Sequence, residues 1–486
     1  METFKKENPY IKDRIPVVAF CSPSPAHNEY PNRIVKQSYE FLKELGVDIL
    51  LGHDESIGLD ETKNEYVFKA MDYCLECGIQ YLARFDIMLE FVSIENCTRS
   101  KFKPFKLLNE EEKADLGDRF LRQLEKCMTH EACIGIAFFD EPGTEMFEGI
   151  SFARKVFKEK YPDKIFYVNH VSCLSNDWIY YFGQHGNGIA ENYCETPEFP
   201  TLSHENRFLR YEKFVDYYYD TMGDDDVFSY DCYSIQNLGG LTNSINKALY
   251  DMPYSAYVNT EKRNRSYWNF IQLSRFGCLT RMPNYNELAL QVSASLALGS
   301  KGIELFPTCY PIDFLYADID FPGSPIDMYG NKTKIFDMTK KALANTKIVR
   351  EKLGKSKYLG VKSFGNFADL EKIGLSKEQV EKLQDGEAIF NGSFDWTLLP
   401  ENEAEIFVEC TSQVLVGFFK NSDKKSYLVV NNSIEHENNI KIAFSKTCDI
   451  EIIRGSNFSV EKNNTTNINN LPAGECVLIT IKELIK

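Results

Sequence analysis

The chain carries one short run whose residue types and order suit acid–base chemistry. In IAFFDEPG, residues 136–143, four apolar residues lead directly into Asp140, Glu141, Pro142 and Gly143. Two adjacent acids closing an apolar run are costly to bury unless they are paired or used. A carboxyl that is partly buried beside a like charge keeps its proton to higher pH. That is the property a general acid needs near neutral pH. Pro142 disfavours helix in the residue before it, so Glu141 is expected to be held extended. The alternative reading is a turn acid that caps the next helix.

What positions these acids is a repeating pattern. Strand-like runs at 15–21, 47–52, 78–85, 133–139, 165–171, 226–231, 266–272 and 302–306 alternate with helix-period segments at 34–45, 62–77, 109–129, 145–160, 205–222, 241–262, 284–300 and 332–354. Gly354 is a plausible helix stop. Eight strands, each followed by a helix, is the count for a closed (β/α)8 TIM barrel, with an open doubly wound sheet as the competitor. The runs are almost continuously apolar, as strands buried on both faces are. No G-x-G-x-x-G follows the first strand, which speaks against a dinucleotide fold.

After residue 356 the pattern changes. Short runs at 405–411, 413–420, 426–431, 438–444, 448–453 and 476–482 are separated by turn-rich clusters, including the Asn-rich 463–470, which reads as a turn. This spacing predicts an all-β sandwich. The expected domains are therefore 1–356 (barrel) and 357–486 (sandwich). Ser376 and Gln379 suggest one capped helix inside the second.

Barrel chemistry sits at the C-terminal ends of the strands. That rule extends the candidates from Asp140 and Glu141 to His53, Asp86, Asn169, Asp231, Tyr233, Trp268, Gln272, Glu304 and Tyr310, with Ser22, His27, Asn28, Asp54, Glu55 and His170 beside them. Carboxylates and amides suit sugar hydroxyls, and Trp and Tyr suit the apolar faces of pyranose rings. The plainer reading is that polarity simply returns where a strand ends. A metal set from His53, Asp86 and His170 lacks the paired histidines expected on one strand end. Cys74 and Cys77 form a lone C-x-x-C without a second pair. Neither a P-loop nor a G-x-S-x-G elbow is present. The glycines of 182–188 read as a loop over the barrel mouth.

Strand 4 ending in D-E-P resembles the acid/base motif of the large clan of (β/α)8 retaining glycosidases, and in particular a set of uncharacterised glycoside-hydrolase-like bacterial barrels. Asp231-Cys232-Tyr233, SYWNFIQL at 266–273, Glu287 to Gln291, and the segments VGFFKNSDKKSYLVVNNS and LPAGECVLITI resemble the same set. The resemblance implies carbohydrate metabolism: Glu141 as general acid/base, Asp140 in the place of a hydroxyl-binding Asn, and Tyr233 where a residue contacts the nucleophile. It also implies a nucleophilic Glu at the end of strand 7, where this chain has Gln272. A glutamine cannot form the glycosyl ester that retention requires. Three explanations stay open. The second carboxylate comes from elsewhere, Asp231 first and Glu304 second; or the strand 7 alignment is shifted; or the barrel binds sugar without cleaving it.

The functional expectation is an O-glycosidic hydrolase with Glu141 as proton donor, and the alternative is a non-catalytic carbohydrate-binding barrel. Such carboxylate chemistry needs no metal and no organic cofactor. The 486 residues carry a net charge of −16, which argues against nucleic acid or an anionic membrane as partner. With no apolar leader at the start and 14 scattered cysteines, a reducing, cytoplasmic setting is expected. A glycoside substrate is the expected partner, and a homo-oligomer stays open.

Overall fold

The computed structural model describes residues 13–27, 29–53, 55, 61–94, 102–172, 204–223, 226–235, 248–275, 280–312, 321–365, 406–422 and 424–483. Eight parallel strands form a closed barrel: β1 (Val17–Ala19), β2 (Ile49–Leu51), β3 (Gln80–Ala83), β4 (Cys133–Asp140), β5 (Ile165–His170), β6 (Phe228–Tyr230), β7 (Tyr267–Gln272) and β8 (Ile303–Phe306). The last strand pairs with the first, Val18 opposite Glu304. The barrel expected from the alternating pattern is therefore present.

Side-chain alternation divides each strand between two cores. On β5, Ile165 and Tyr167 belong to the apolar cluster of the lumen, with Val18, Leu82, Trp268 and Phe270. Phe166 and Val168 belong to the larger cluster between strands and helices. The lumen is thus a packed core and not a pore.

The outer layer includes α1 (Lys36–Leu45), α2 (Glu61–Cys77), α3 (Met88–Phe91), α4 (Glu110–Met128), α5 (Phe147–Lys160), α6 (His204–Met222), α7 (Ala248–Glu261), α8 (Tyr285–Ala297), α9 (Lys334–Asn345) and α10 (Lys347–Gly354). Two of these start at complete capping boxes. Asn109 and Glu112 close the first turn of α4, and Asn284 and Glu287 that of α8. The single helix expected over 332–354 is broken at Thr346 into α9 and α10, and α10 does end at Gly354.

β4 is built to deliver its last residues to the rim. A Cβ at Gly135 would lie 2.0 Å from the Ile165 carbonyl oxygen, so glycine lets β4 approach β5 closely there. The β4–β5 register then shifts between Ala137 and Phe139. A bulge of this kind re-aims the side chains that follow it.

The C-terminal unit is antiparallel, with β9 (Lys357–Phe364), β10 (Ile406–Cys410), β11 (Val414–Asn421), β12 (Lys424–Asn431), β13 (Asn438–Arg454), β14 (Asn457–Leu471) and β15 (Cys476–Glu483). The order is β10-β13-β15-β12-β11-β9, with β14 paired to β13. The first half of β13 pairs with β10 and the second half with β15. The sheet thereby folds over an apolar core that includes Val416, Phe418, Val429, Ile442 and Ile479, giving the expected sandwich. Its outer face, Leu415, Phe419, Leu428 and Val430, joins the barrel's own core. Contact with α8 is close: a Cβ on Gly417 would lie 2.5 Å from the Ala297 carbonyl oxygen.

Two expectations change here. The runs 438–444 and 448–453 are one strand, β13, with a register irregularity between Ala443 and Cys448. The Asn-rich segment 463–470 is not a turn but part of β14. Its composition suits a turn, but pairing along β13 supplies its backbone bonds, and it buries little more than Thr466, Ile468 and Leu471. The capped helix expected at 376–384 and the glycines of 182–188 lie outside the described residues.

Candidate active site

The ends of β4, β5 and β6 bring five of the expected residues together. The Glu141 backbone N–H still donates to the Asn169 carbonyl at 2.9 Å, so β4 stays in register with β5 to its end. Glu141 itself has φ +48°, in the left-handed region. It is not extended, as Pro142 had suggested. The chain has to leave the sheet and enter the single turn at Thr144–Met146 within three residues, and the left-handed residue makes that corner. A non-glycine residue held there costs roughly 1–2 kcal/mol, and such strain clusters at functional positions.

Glu141 is half-buried. Its side chain is hydrogen-bonded to the carboxyl of Asp231, which follows β6 and also takes a hydrogen bond from the Tyr233 hydroxyl. Asp231 N–H donates to the His170 carbonyl at 3.1 Å, fixing that loop against β5. Burial pushes the Asp231 carboxyl well above the usual range, and the charge of Asp140 adds to the effect; the bonds to Glu141 and Tyr233 oppose it. Two carboxyls in contact cannot both ionise freely, and Asp231 keeps its proton to higher pH than an ordinary carboxyl.

Asp140 is exposed at the end of β4 and accepts from Asn169 Nδ2 at 2.8 Å. Asn169 is only 2% exposed, and its Oδ1 accepts from Ser229 Oγ at 3.0 Å. The Tyr233 ring packs against Phe306 at 5.3 Å and Phe270 at 6.5 Å, which turns its hydroxyl toward Asp231.

Other expected site residues are placed differently. Gln272 is fully buried, and its amide is spent on backbone: Oε1 accepts from Ile235 N–H at 3.0 Å, and Nε2 donates to the carbonyls of Ile235, Ser274 and Arg281 at 3.0–3.1 Å. It braces the β6–β7 end and offers nothing to a sugar. Trp268 is fully buried near the start of β7, where its ring occupies the space a Gly302 Cβ would need; it is lumen filler. Tyr310, 3% exposed, lies edge-on to Phe321 within the same lumen cluster. Glu304 is fully enclosed in the lumen, with Tyr167 OH 2.7 Å from one carboxyl oxygen and Ser229 Oγ 2.6 Å from the other. Burial pushes its carboxyl up to about 8. A neutral, sealed carboxyl is poorly placed to attack a sugar. For Trp268 and Glu304 the reason is common: strand alternation turns every second side chain into a packed lumen, whereas Tyr310 follows β8 and packs into the same cluster.

His53 is largely buried, its ring 5.4 Å from that of Phe20 and its backbone N–H donating to Ser22 Oγ at 3.0 Å. Asp86 is exposed where the chain turns into α3. Asn28 and Asp54 lie outside the described residues. His170 is fully buried and stacks on Phe228 at 4.8 Å, and burial drives its ring down to about 3, so it is a neutral packing residue facing the helices. No group of His, Cys, Asp or Glu among the described residues is arranged to hold a metal ion.

Reading strand ends alone missed Tyr167 and Ser229, which lie inside β5 and β6. The alternation of IFYVNH puts Tyr167 on the same face as Asn169 and was the available signal. Glu55 is buried as well, bonded to Ser22 Oγ and to Tyr81 OH at 2.7 Å, so it ties the β1, β2 and β3 ends together.

No family model matches the sequence, and no curated protein matches it. Among solved structures, the chain is similar to a glucosidase from Croceicoccus marinus (10% identity, TM-score 0.46, 98% of this chain and 97% of that one). It is also similar to a noncanonic maltogenic α-amylase from Thermotoga neapolitana (11%, 0.44, 98% and 100%). A third is a GH30 endoxylanase from Clostridium papyrosolvens (11%, 0.40, 98% and 99%). These neighbours carry glycoside-hydrolase names. The barrel assignment for this chain stands on its own strand order.

Proposed function

We propose that the barrel mouth binds a carbohydrate and that the protein hydrolyses an O-glycosidic bond, with Glu141 as proton donor. One observation carries the reading: the hydrogen-bonded Glu141–Asp231 carboxyl pair at the ends of β4 and β6, on a backbone held at φ +48°. A pair that retains one proton delivers it near neutral pH. Glu141 gives it to the leaving oxygen. Asp231, bonded to Glu141, shares that proton in this reading, and the carboxyl separation decides whether it also acts across the ring: about 5–5.5 Å for retention or about 6.5–9.5 Å for inversion. Asp140, held by Asn169, accepts from a sugar hydroxyl or the attacking water. The D-E-P motif supports the same assignment.

The alternative, a barrel that binds sugar without cleaving it, is favoured by Gln272, whose amide is wholly engaged where the resemblance implies a nucleophile. An aryl-glycoside panel with Glu141→Gln as control separates the two. Turnover lost in the variant on the less acidic phenols supports hydrolysis; calorimetric sugar binding without turnover in either protein supports the alternative. We also propose a boundary at 356 between barrel and sandwich, and a reducing cytoplasmic setting. The free thiols of the described cysteines support the latter.

A further inference from the structure

A chain of polar contacts runs from the sealed lumen to the rim. Tyr167 OH meets Glu304 Oε1 at 2.7 Å and Ser229 Oγ at 2.8 Å. Ser229 Oγ meets Glu304 Oε2 at 2.6 Å and Asn169 Oδ1 at 3.0 Å. Asn169 Nδ2 meets Asp140 Oδ1 at 2.8 Å. Four of these five contacts join oxygen to oxygen, and each needs a proton to be attractive.

Counting protons decides the charge state. With Glu304 ionised, only the Tyr167 and Ser229 hydroxyl protons are present, so two of the four contacts are made. Both protons are then drawn to the carboxylate. Asn169 Oδ1 is left facing a Ser229 lone pair inside a buried site, which is costly. With Glu304 protonated, three of the four are made: Tyr167 donates to Glu304 Oε1, Glu304 donates to Ser229, and Ser229 donates to Asn169 Oδ1. Asn169 Nδ2 then carries the same direction on to Asp140.

We propose that Glu304 is a protonated positioning residue whose proton orients Ser229 and Asn169, and through them holds Asp140 at the barrel rim. This deepens the function proposed above, since Asp140 matters only as part of that site. Burial, the larger effect, and the Asp140 charge both favour the neutral form, and the two hydroxyls oppose it. The titratable and charged groups facing Glu304 are Tyr167 on β5 and Asp140 on β4. β6 presents Ser229, and the flanking β1 and β7 pair Val18 and Phe270 with it. Ionising Glu304 reverses the Ser229 proton and releases the Asn169 amide.

The test uses the whole protein and two readouts. Isotope-edited infrared spectra of wild type minus Glu304→Gln should show a protonated-carboxyl band near neutral pH that fades as pH passes about 8. The Asn169 side-chain amide resonance should shift with the same midpoint in wild type and stay fixed in Glu304→Gln, whose neutral amide replaces the neutral acid. Ser229→Ala should keep the band and uncouple the Asn169 resonance from it. A difference spectrum without a protonated-carboxyl band, or an Asn169 signal that moves equally in wild type and Ser229→Ala, overturns the proposal. Coupling that persists in a protein that binds no sugar supports the relay and removes the function proposed for the mouth.

Discussion

Replacing Glu304 by glutamine should change how stability depends on pH. The Glu304 carboxyl rises from an ordinary 4.5 to about 8 in the folded chain, mainly through burial. The folded state therefore holds a proton that the unfolded state has released between those values. Its contribution is neutral below about 4.5 and turns increasingly unfavourable as pH rises. The slope is about 1.4 kcal/mol per pH unit, and at most about 5 kcal/mol accumulates by pH 8. Glutamine fills the same volume, meets Tyr167 and Ser229 without a charge, and has no proton to lose. Urea denaturation of both proteins over a pH series, read by tryptophan fluorescence, isolates the effect because all other titrations cancel. The variant should gain on wild type steadily from about pH 5 to about pH 8, and the two profiles should run parallel below that window. Parallel profiles across the whole range refute a buried, neutral Glu304.

Three further outcomes follow from the same geometry. Glu141→Gly should raise stability by about 1 kcal/mol in urea melts, because glycine accepts φ +48° without strain, while removing turnover. Asp231→Asn should move the alkaline limb of kcat/KM to lower pH, since Glu141 without a carboxylate neighbour gives up its proton more readily; an unmoved limb counts against the shared proton. Gly302→Ala should destabilise the barrel by about 1–3 kcal/mol, because the new Cβ would fall 2.3 Å from the Trp268 ring, and thermal melting reads this directly.

The barrel was legible because buried parallel strands leave continuous apolar runs, and because capping pairs such as Asn109 with Glu112 mark helix starts. The acid pair was half legible. Adjacency and the D-E-P order located Glu141, and the rule about strand ends located Asp231 and Tyr233. The left-handed corner at Glu141 was not, because the preference set by Pro142 is local and the corner is imposed by the path from β4 to Phe147. Glu304 and Trp268 sit away from the rim for one reason: GIELF places Glu304, and YWNFIQ places Trp268, within a strand, and alternation turns both inward. Tyr167 and Ser229 are not legible in the sequence, because single hydroxyls in apolar strands look like packing unless a buried carboxyl lies between them. In the C-terminal unit, asparagine suggested turns where a long ladder with β13 holds a strand.

The central claim is that Glu141 donates the proton, and the dependence of turnover on the leaving group tests it most directly. Wild type and Glu141→Gln should be compared on aryl glycosides whose phenols range from strongly to weakly acidic. Removing a general acid should cost about 10²–10⁴-fold on poor leaving groups. It should cost little on the most acidic phenol, which departs without protonation. A variant that cleaves every member of the series as fast as wild type contradicts the role assigned to Glu141.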